Sequence, residues 1–240
     1  MLISSPAIIL SKVRYQDNDL IVKCLTRDLG VVSYMIKNIS MSKKSKNKFA
    51  FFQLLNILDL ETNYNPNRSI QYIKDLKIKY NFTSLHTNIY KSSVVMFLSE
   101  ILSNIIHIET KDMELFDFIE KSLIWYDKSE DSSTFYLIFL MKITYYLGFY
   151  PDCTNMNCNY FNLEEGLFES SKNSQYVIEG SSLVLFKLIL GIKFDSNKLP
   201  FIDKTNKKDI LKNILIYFKL HVDGFKDPKS LKVLNQIFAD

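Results

Sequence analysis

The hydrophobic period of this chain changes near residue 80, and that change limits the folds open to it. Before it, apolar residues alternate over short runs; after it, they recur every three or four positions. Ala7–Tyr15 (AIILSKVRY) is rich in β-formers, and from Ile9 onward Val13 and Tyr15 fall on one face with Lys12 and Arg14 on the other. Leu20–Arg27 (LIVKCLTR) sets Leu20, Val22 and Cys24 against Lys23 and Arg27. Val31–Ile39 (VVSYMIKNI) puts Val32, Tyr34 and Ile36 together, and Ile70–Tyr80 (IQYIKDLKIKY) is a last strand. Phe51–Glu61 (FFQLLNILDLE) fits helix or strand by periodicity. Turn signals at Asp17-Asn18-Asp19, Asp28-Leu29-Gly30 and Tyr64-Asn65-Pro66-Asn67 separate these runs. About five short strands in about 80 residues fit a small closed or nearly closed barrel, which leaves no unpaired edges.

Beyond residue 80 the spacing is helical. Leu85–His107 carries Val94, Phe97, Leu98, Ile101, Leu102 and Ile105 on one face, and Lys111–Tyr126 carries Leu115, Phe116, Ile119, Leu123 and Tyr126. A third helix, capped by Ser132 or Ser133, has Phe135, Ile138, Phe139, Ile143 and Tyr146 on one face and stops at Gly148 with Pro151 just beyond. Ser181–Leu190, Lys207–His221 and Lys229–Phe238 complete a helical set, interrupted by a loop over 150–180. The expected fold is α+β: a five-stranded barrel in residues 1–80, then an all-α helical-bundle domain in 81–240.

Charge is distributed unevenly between these parts. The net charge is +4, but residues 1–80 hold 13 Lys+Arg against 6 Asp+Glu and the remainder 17 against 20. The excess is densest in Ile36–Phe52 (IKNISMSKKSKNKFAFF), with Lys37, Lys43, Lys44, Lys46 and Lys48 and no acid. A basic first third points to a polyanionic partner. A barrel of this kind pairs a basic groove with aromatic platforms on which bases stack. The candidate phosphate contacts are Lys12, Arg14, Lys23 and Arg27 on the strands, the loop lysines, and Arg68. Tyr15, Tyr34, Phe49, Phe51 and Phe52 are the available aromatics, with core packing as the competing use for each.

The chain carries no Gly-rich phosphate cradle, no Walker lysine and no H-E-x-x-H. Its three histidines (His86, His107, His221) are scattered. Asp17 and Asp19 with Lys23 are the only seed of a metal-dependent nuclease, and turn chemistry explains the two acids better. No catalytic residue, metal or cofactor is therefore expected. Cys153 and Cys158 are spaced as half of a tetrahedral zinc site, but no second pair exists, and Cys24 reads as a buried small apolar residue. The longest apolar run, Phe135–Tyr150, contains Lys142 and is too short to span a bilayer. A cytoplasmic protein is expected.

The order of these parts resembles the RecO family of bacterial recombination mediators. The residues that carry the resemblance are the apolar strand Ala7–Tyr15 and the acidic turn Gln16–Asp19, then L-T-x-x-x-G at Leu25–Gly30 and the Lys/Ser segment Lys37–Lys48. Leu147–Asp152 (LGFYPD), Phe161–Phe168 (FNLEEGLF) and His221–Leu234 (HVDGFKDPKSLKVL) extend it over nearly the whole chain. The resemblance implies an oligonucleotide/oligosaccharide-binding (OB) barrel and binding of single- and double-stranded DNA. It also implies annealing of complementary strands and loading of recombinase onto strands coated by single-stranded-DNA-binding protein. The implied partners are RecR, the acidic, apolar C-terminal tail of that coating protein, and the recombinase RecA; the implied location is the bacterial nucleoid. For the tail, Lys142 beside Phe139 and Tyr146 is a candidate contact. Some members of the family carry a four-cysteine zinc motif after LGFYPD; here Phe168 and Ser171 stand where the second pair would fall, which leaves Cys153 and Cys158 without partners. The alternative is a general nucleic-acid-binding or scaffolding protein that meets RNA or an acidic protein.

Overall fold

The computed structural model of the chain describes residues 1–16, 18–39, 49–106, 111–130, 133–192 and 200–237. Strands β1 (Leu2–Tyr15), β2 (Asp19–Thr26), β3 (Gly30–Ile36), β4 (Ile57–Asn63) and β5 (Ile70–Ile78) form a closed barrel in the order β1-β2-β3-β5-β4. The β3–β5 pair is parallel and the other four are antiparallel. This is the five-stranded barrel expected from the alternation, with OB-fold order. Phe51–Glu61 divides its two readings: a helical turn at 49–51, then β4.

Inward residues follow the alternation in β2 and β3. Leu20, Val22, Cys24, Val32 and Tyr34 join Ala7, Ile9, Phe52, Leu58 and Leu60 in the barrel core. Cys24 is fully buried there, and burial pushes its thiol pKa up. In β1 the phase reverses. Ile9 pairs with Cys24, but the next pair is Ser11 with Lys23, so Leu10 is an extra, unpaired residue. Such a bulge moves every later side chain to the opposite face. Val13 and Tyr15 consequently point outward, 63% and 45% exposed. Lys12 and Arg14 instead pair with the inward residues Val22 and Leu20, which corrects their expected placement beside Lys23. They escape burial in the barrel because β4 pairs with β1 only over Leu2–Ile8. The bulge is fastened from outside: the Ile9 amide donates to the Asn56 carbonyl, and the Leu55 amide to the Ile9 carbonyl. Leu55 has φ 57°, a conformation a leucine holds only when its surroundings fix it.

By contacts the chain forms two compact units, and their division does not fall at the change of period. The first comprises residues 1–128 and 228–237, the second 129–227. The first unit adds α1 (Ile89–Ile105), α2 (Met113–Lys128) and the short α6 (Leu231–Ile237) to the barrel. Val94, Phe97, Leu98, Ile101 and Leu102 of α1, with Leu115, Phe116, Ile119 and Leu123 of α2, are buried as their spacing requires. The segment between barrel and helices is held by the nearly inaccessible Asp127. Its carboxylate accepts the amides of Thr83, Ser84 and Leu85 at 2.8–3.1 Å and both hydroxyls.

The second unit contains α3 (Phe135–Tyr146), α4 (Gly180–Gly191) and α5 (Lys204–His221). All residues from Phe135 to Met141 are buried, so α3 is apolar all round rather than on one stripe. Its N-cap position is Thr134, without a side-chain cap bond. The 150–180 loop holds a three-stranded sheet, in which β6 (Tyr160–Asn162) lies between β7 (Leu167–Glu169) and β8 (Val177–Glu179). Three-residue strands are too short to show a period, which is why the segment reads as loop. Gly166 has φ 69°, and a Cβ there would lie 2.7 Å from the Tyr217 hydroxyl, so a turn and a close approach both require glycine.

Candidate nucleic-acid interface

The strand register lines up side chains across the outer face of four barrel strands. Val13 pairs with Ile21, Ile21 with Met35, and Met35 with Tyr72. One step along, Tyr15 pairs with Asp19, while Lys37 and Lys74 lie two residues beyond Met35 and Tyr72. Residues at matching register share a face, so these form two adjacent rows on one surface. Tyr72 is 45% exposed, like Tyr15. The Lys37 ammonium lies 5.4 Å from the Tyr72 ring centroid, within cation–π range. Beside Tyr72 is a recess of about 430 Å³, lined by Met35, Lys37, Phe51, Phe52, Tyr72 and Lys74. Asp19, the acid in the second row, has one carboxylate oxygen engaged by the Asn38 amide at 3.0 Å.

Among the described residues the expected phosphate contacts separate into three groups. Arg14, Lys37 and Arg68 are exposed and make no ion pair among the described residues. Arg68 stands in the β4–β5 turn, where its carbonyl accepts from the Gln71 side-chain Nε2. Lys12 is half-buried, 4.6 Å from the Phe49 ring, and burial lowers its pKa. Lys23 and Arg27 face helices of their own unit instead. The Lys23 ammonium donates to the Ser103 carbonyl of α1 at 2.8 Å. The Arg27 guanidinium grips Asp117 of α2 through two bonds of 2.8 and 3.2 Å. That bond raises the Arg27 pKa and holds the Asp117 carboxyl below its usual range. Lys43, Lys44, Lys46 and Lys48 lie outside the described residues. The chain leaves for them at Ile39, whose amide is bonded to the Asn18 carbonyl, and re-enters at Phe49.

The expected aromatics also separate. Tyr34 and Phe52 are core residues, whereas Tyr15 and Phe49 are on the surface. Tyr72, Met35 and Ile21 carry no charge signal, and strand alternation is their only mark in the sequence. Lys74 and Lys77 on β5 are partly neutralised by Glu61 at 2.9 Å and Asp59 at 3.6 Å on β4.

The remaining candidates are placed as follows. Among the described residues no group of three or more His, Cys, Asp and Glu side chains could hold a metal ion. The Cys153 thiol donates to the Pro151 carbonyl at 3.5 Å, and the Cys158 sulfur is 3.7 Å from the Ser170 hydroxyl. In the second unit, Lys142 donates to the Leu190 carbonyl at 3.3 Å, and its neighbour Phe139 is fully buried. That burial removes Phe139 from any surface groove. No helix among the described residues is long and apolar enough to cross a membrane.

Comparison with known proteins accounts for the whole chain. Residues 1–82 match the family model described as "Recombination protein O N terminal", and residues 86–232 match "Recombination protein O C terminal". The chain is 40% identical over 240 residues to the DNA repair protein RecO of Flavobacterium johnsoniae and 39% identical over 239 residues to that of Christiangramia forsetii. Both alignments cover all of each chain. It is 30% identical over 243 residues to the RecO of Bacteroides fragilis, covering 99% of this chain and all of the relative. With both halves matched in order and full-length relatives at this identity, the chain belongs to the RecO family of DNA repair proteins.

Proposed function

We propose that this chain is a non-enzymatic recombination mediator that binds single- and double-stranded DNA, anneals complementary strands, and helps to load recombinase onto strands coated by single-stranded-DNA-binding protein. The observation that carries this is the outer barrel face: exposed Tyr15 and Tyr72, with Lys37, which has no ion pair among the described residues, over Tyr72, on a closed OB barrel. The segment from Lys43 to Lys48, which follows β3 in the sequence, adds four positive charges. Cations of this kind neutralise phosphates and release counterions, so affinity falls with salt and depends little on sequence. Neutralising two strands at once lowers their mutual repulsion, which lets a protein without a catalytic centre speed annealing.

Phosphate contact falls to Lys12, Arg14, Lys37, Arg68 and the four loop lysines. Lys23 and Arg27, tied to Ser103 and Asp117, position α1 and α2 against the barrel and supply background charge. RecR, the acidic C-terminal tail of the coating protein and RecA are the partners of this activity, which takes place on the nucleoid in the cytoplasm. Annealing of two complementary oligonucleotides, each coated by single-stranded-DNA-binding protein, tests it. The expected result is an annealing rate that rises with added protein. Binding to both strands with no change in rate would reduce the protein to a general nucleic-acid binder.

A further inference from the structure

The outer barrel face presents an apolar row that charge does not explain. Val13, Ile21, Met35 and Tyr72 run in register across β1, β2, β3 and β5, a span of about 14 Å at ordinary strand spacing. Tyr15 and Tyr72 stand at opposite sides of it, each nearly half exposed. Val13 and Tyr72 at its ends are exposed and Ile21 and Met35 between them are partly so, and a contiguous apolar row marks a binding surface more often than isolated exposed residues do. β2, β3 and β5 are paired within the closed barrel, and only the outer part of β1, beyond its pairing with β4, keeps one edge open. What the face itself offers a ligand is side chains projecting from a sheet. The two aromatic members suit a flat π ligand, and the cations beside them suit an anion joined to it. Lys37 meets both needs, since its ammonium lies 5.4 Å from the Tyr72 ring and has no acid partner among the described residues. The recess beside the ring, whose lining includes Met35, Phe52, Lys74 and the acid Asp75, leaves room for a group seated against Tyr72.

We propose that Tyr72, with Lys37 over its ring and Tyr15 across the face, is a base-stacking subsite that takes unpaired nucleobases and makes the protein bind single strands more tightly than duplex. The proposal rests on the nucleic-acid reading above and extends it. In a duplex the faces of the bases are covered by their neighbours, and only their edges are reachable from the grooves. A tyrosine ring therefore engages a base only when that base is unpaired, whereas lysines meet the phosphates of both forms. Stacking on one aromatic platform strengthens binding by about tenfold or more and tolerates any base. The consequence for annealing is directional. When two held strands pair, their bases leave Tyr72 and Tyr15 for each other, and the protein holds the duplex product less tightly than the strands.

The test compares three probes of equal length by fluorescence anisotropy: a single strand, the duplex, and an abasic single strand. The variants are Tyr72→Val, which removes the ring but puts a strong strand former on β5, and Tyr72→Phe, which keeps the ring. Tyr72→Val is expected to reduce the ratio of single-strand to duplex affinity by about tenfold. It should bind intact and abasic strands alike while keeping the parent's salt slope. Tyr72→Phe should keep the parent's ratio. An unchanged ratio in Tyr72→Val, or a parent that binds abasic and intact strands equally, would overturn the stacking subsite while leaving phosphate binding intact. A parent that binds none of the probes would overturn the nucleic-acid reading, and the subsite with it.

Discussion

Replacing Lys43, Lys44, Lys46 and Lys48 together by alanine is expected to weaken single-strand binding by about two to three orders of magnitude at low salt. Each phosphate neutralised on a single strand contributes about 0.7 to the slope of log affinity against log salt, so losing four should flatten that slope by about 3. Slope and affinity must fall together, because both come from the same released counterions. Duplex affinity should fall as well, since phosphates are common to both forms. The four residues follow β3 and precede Phe49 in the chain, and circular dichroism and the thermal midpoint of the variant check that the barrel still folds. Salt titrations of the variant and parent by anisotropy read both quantities. A variant with the parent's slope would show that these lysines touch no phosphate.

The second large effect is on stability. Asp127→Ala should destabilise the unit of residues 1–128 and 228–237 by about 3 kcal/mol, because it leaves the amides of Thr83, Ser84 and Leu85 without an acceptor in a nearly closed site. Lys91 lies within the same network, donating to the Asp127 carbonyl at 2.8 Å and to the Ser84 hydroxyl at 2.7 Å. Burial by itself would raise the Asp127 pKa, but the amides of Thr83, Ser84 and Leu85 outweigh it and hold the pKa below the usual carboxylate value. A carboxyl depressed in the folded state stabilises fully above its unfolded pKa of about 3.9, and that stability is lost as pH falls through the lower folded value. Urea midpoints for parent and variant should thus differ at neutral pH and converge in strong acid. A variant within about 0.5 kcal/mol of the parent at pH 7, the range of ordinary surface substitutions, would show that the amides find water instead.

The sequence was most informative where local pattern and tertiary demand agree. In β2, Leu20, Val22 and Cys24 alternate into the core without interruption, and α1 and α2 bury the residues their spacing nominates. It was least informative where one unpaired residue changes everything downstream. Nothing in AIILSKVRY marks Leu10 as a bulge, because the bulge is imposed by pairing with β2 and by Asn56 and Leu55 from a distant segment. Missing that residue exchanges Lys12 and Arg14 for Val13 and Tyr15 on the outer face. The candidate site was legible in part for a related reason. Charge picks out lysines, but whether a lysine serves a partner or its own fold depends on what lies opposite. Lys23 and Arg27 find Ser103 and Asp117, 80 and 90 residues away in the chain. Tyr72 becomes notable only when the parallel β3–β5 pair sets it beside Met35 and Lys37, a long-range pairing that no window of sequence contains.

Single-stranded nucleic acid is proposed to lie on the outer face of β1, β2, β3 and β5. Photo-cross-linking of a single-stranded oligonucleotide carrying a light-activated base, with the attachment points read by mass spectrometry, tests this directly. Adducts are expected at Tyr72 and Tyr15 and within residues 36–52, all suppressed by high salt. Adducts confined to residues 129–227, or adducts at Ser103 and Asp117 beside Lys23 and Arg27 with none on Tyr72, would contradict that placement.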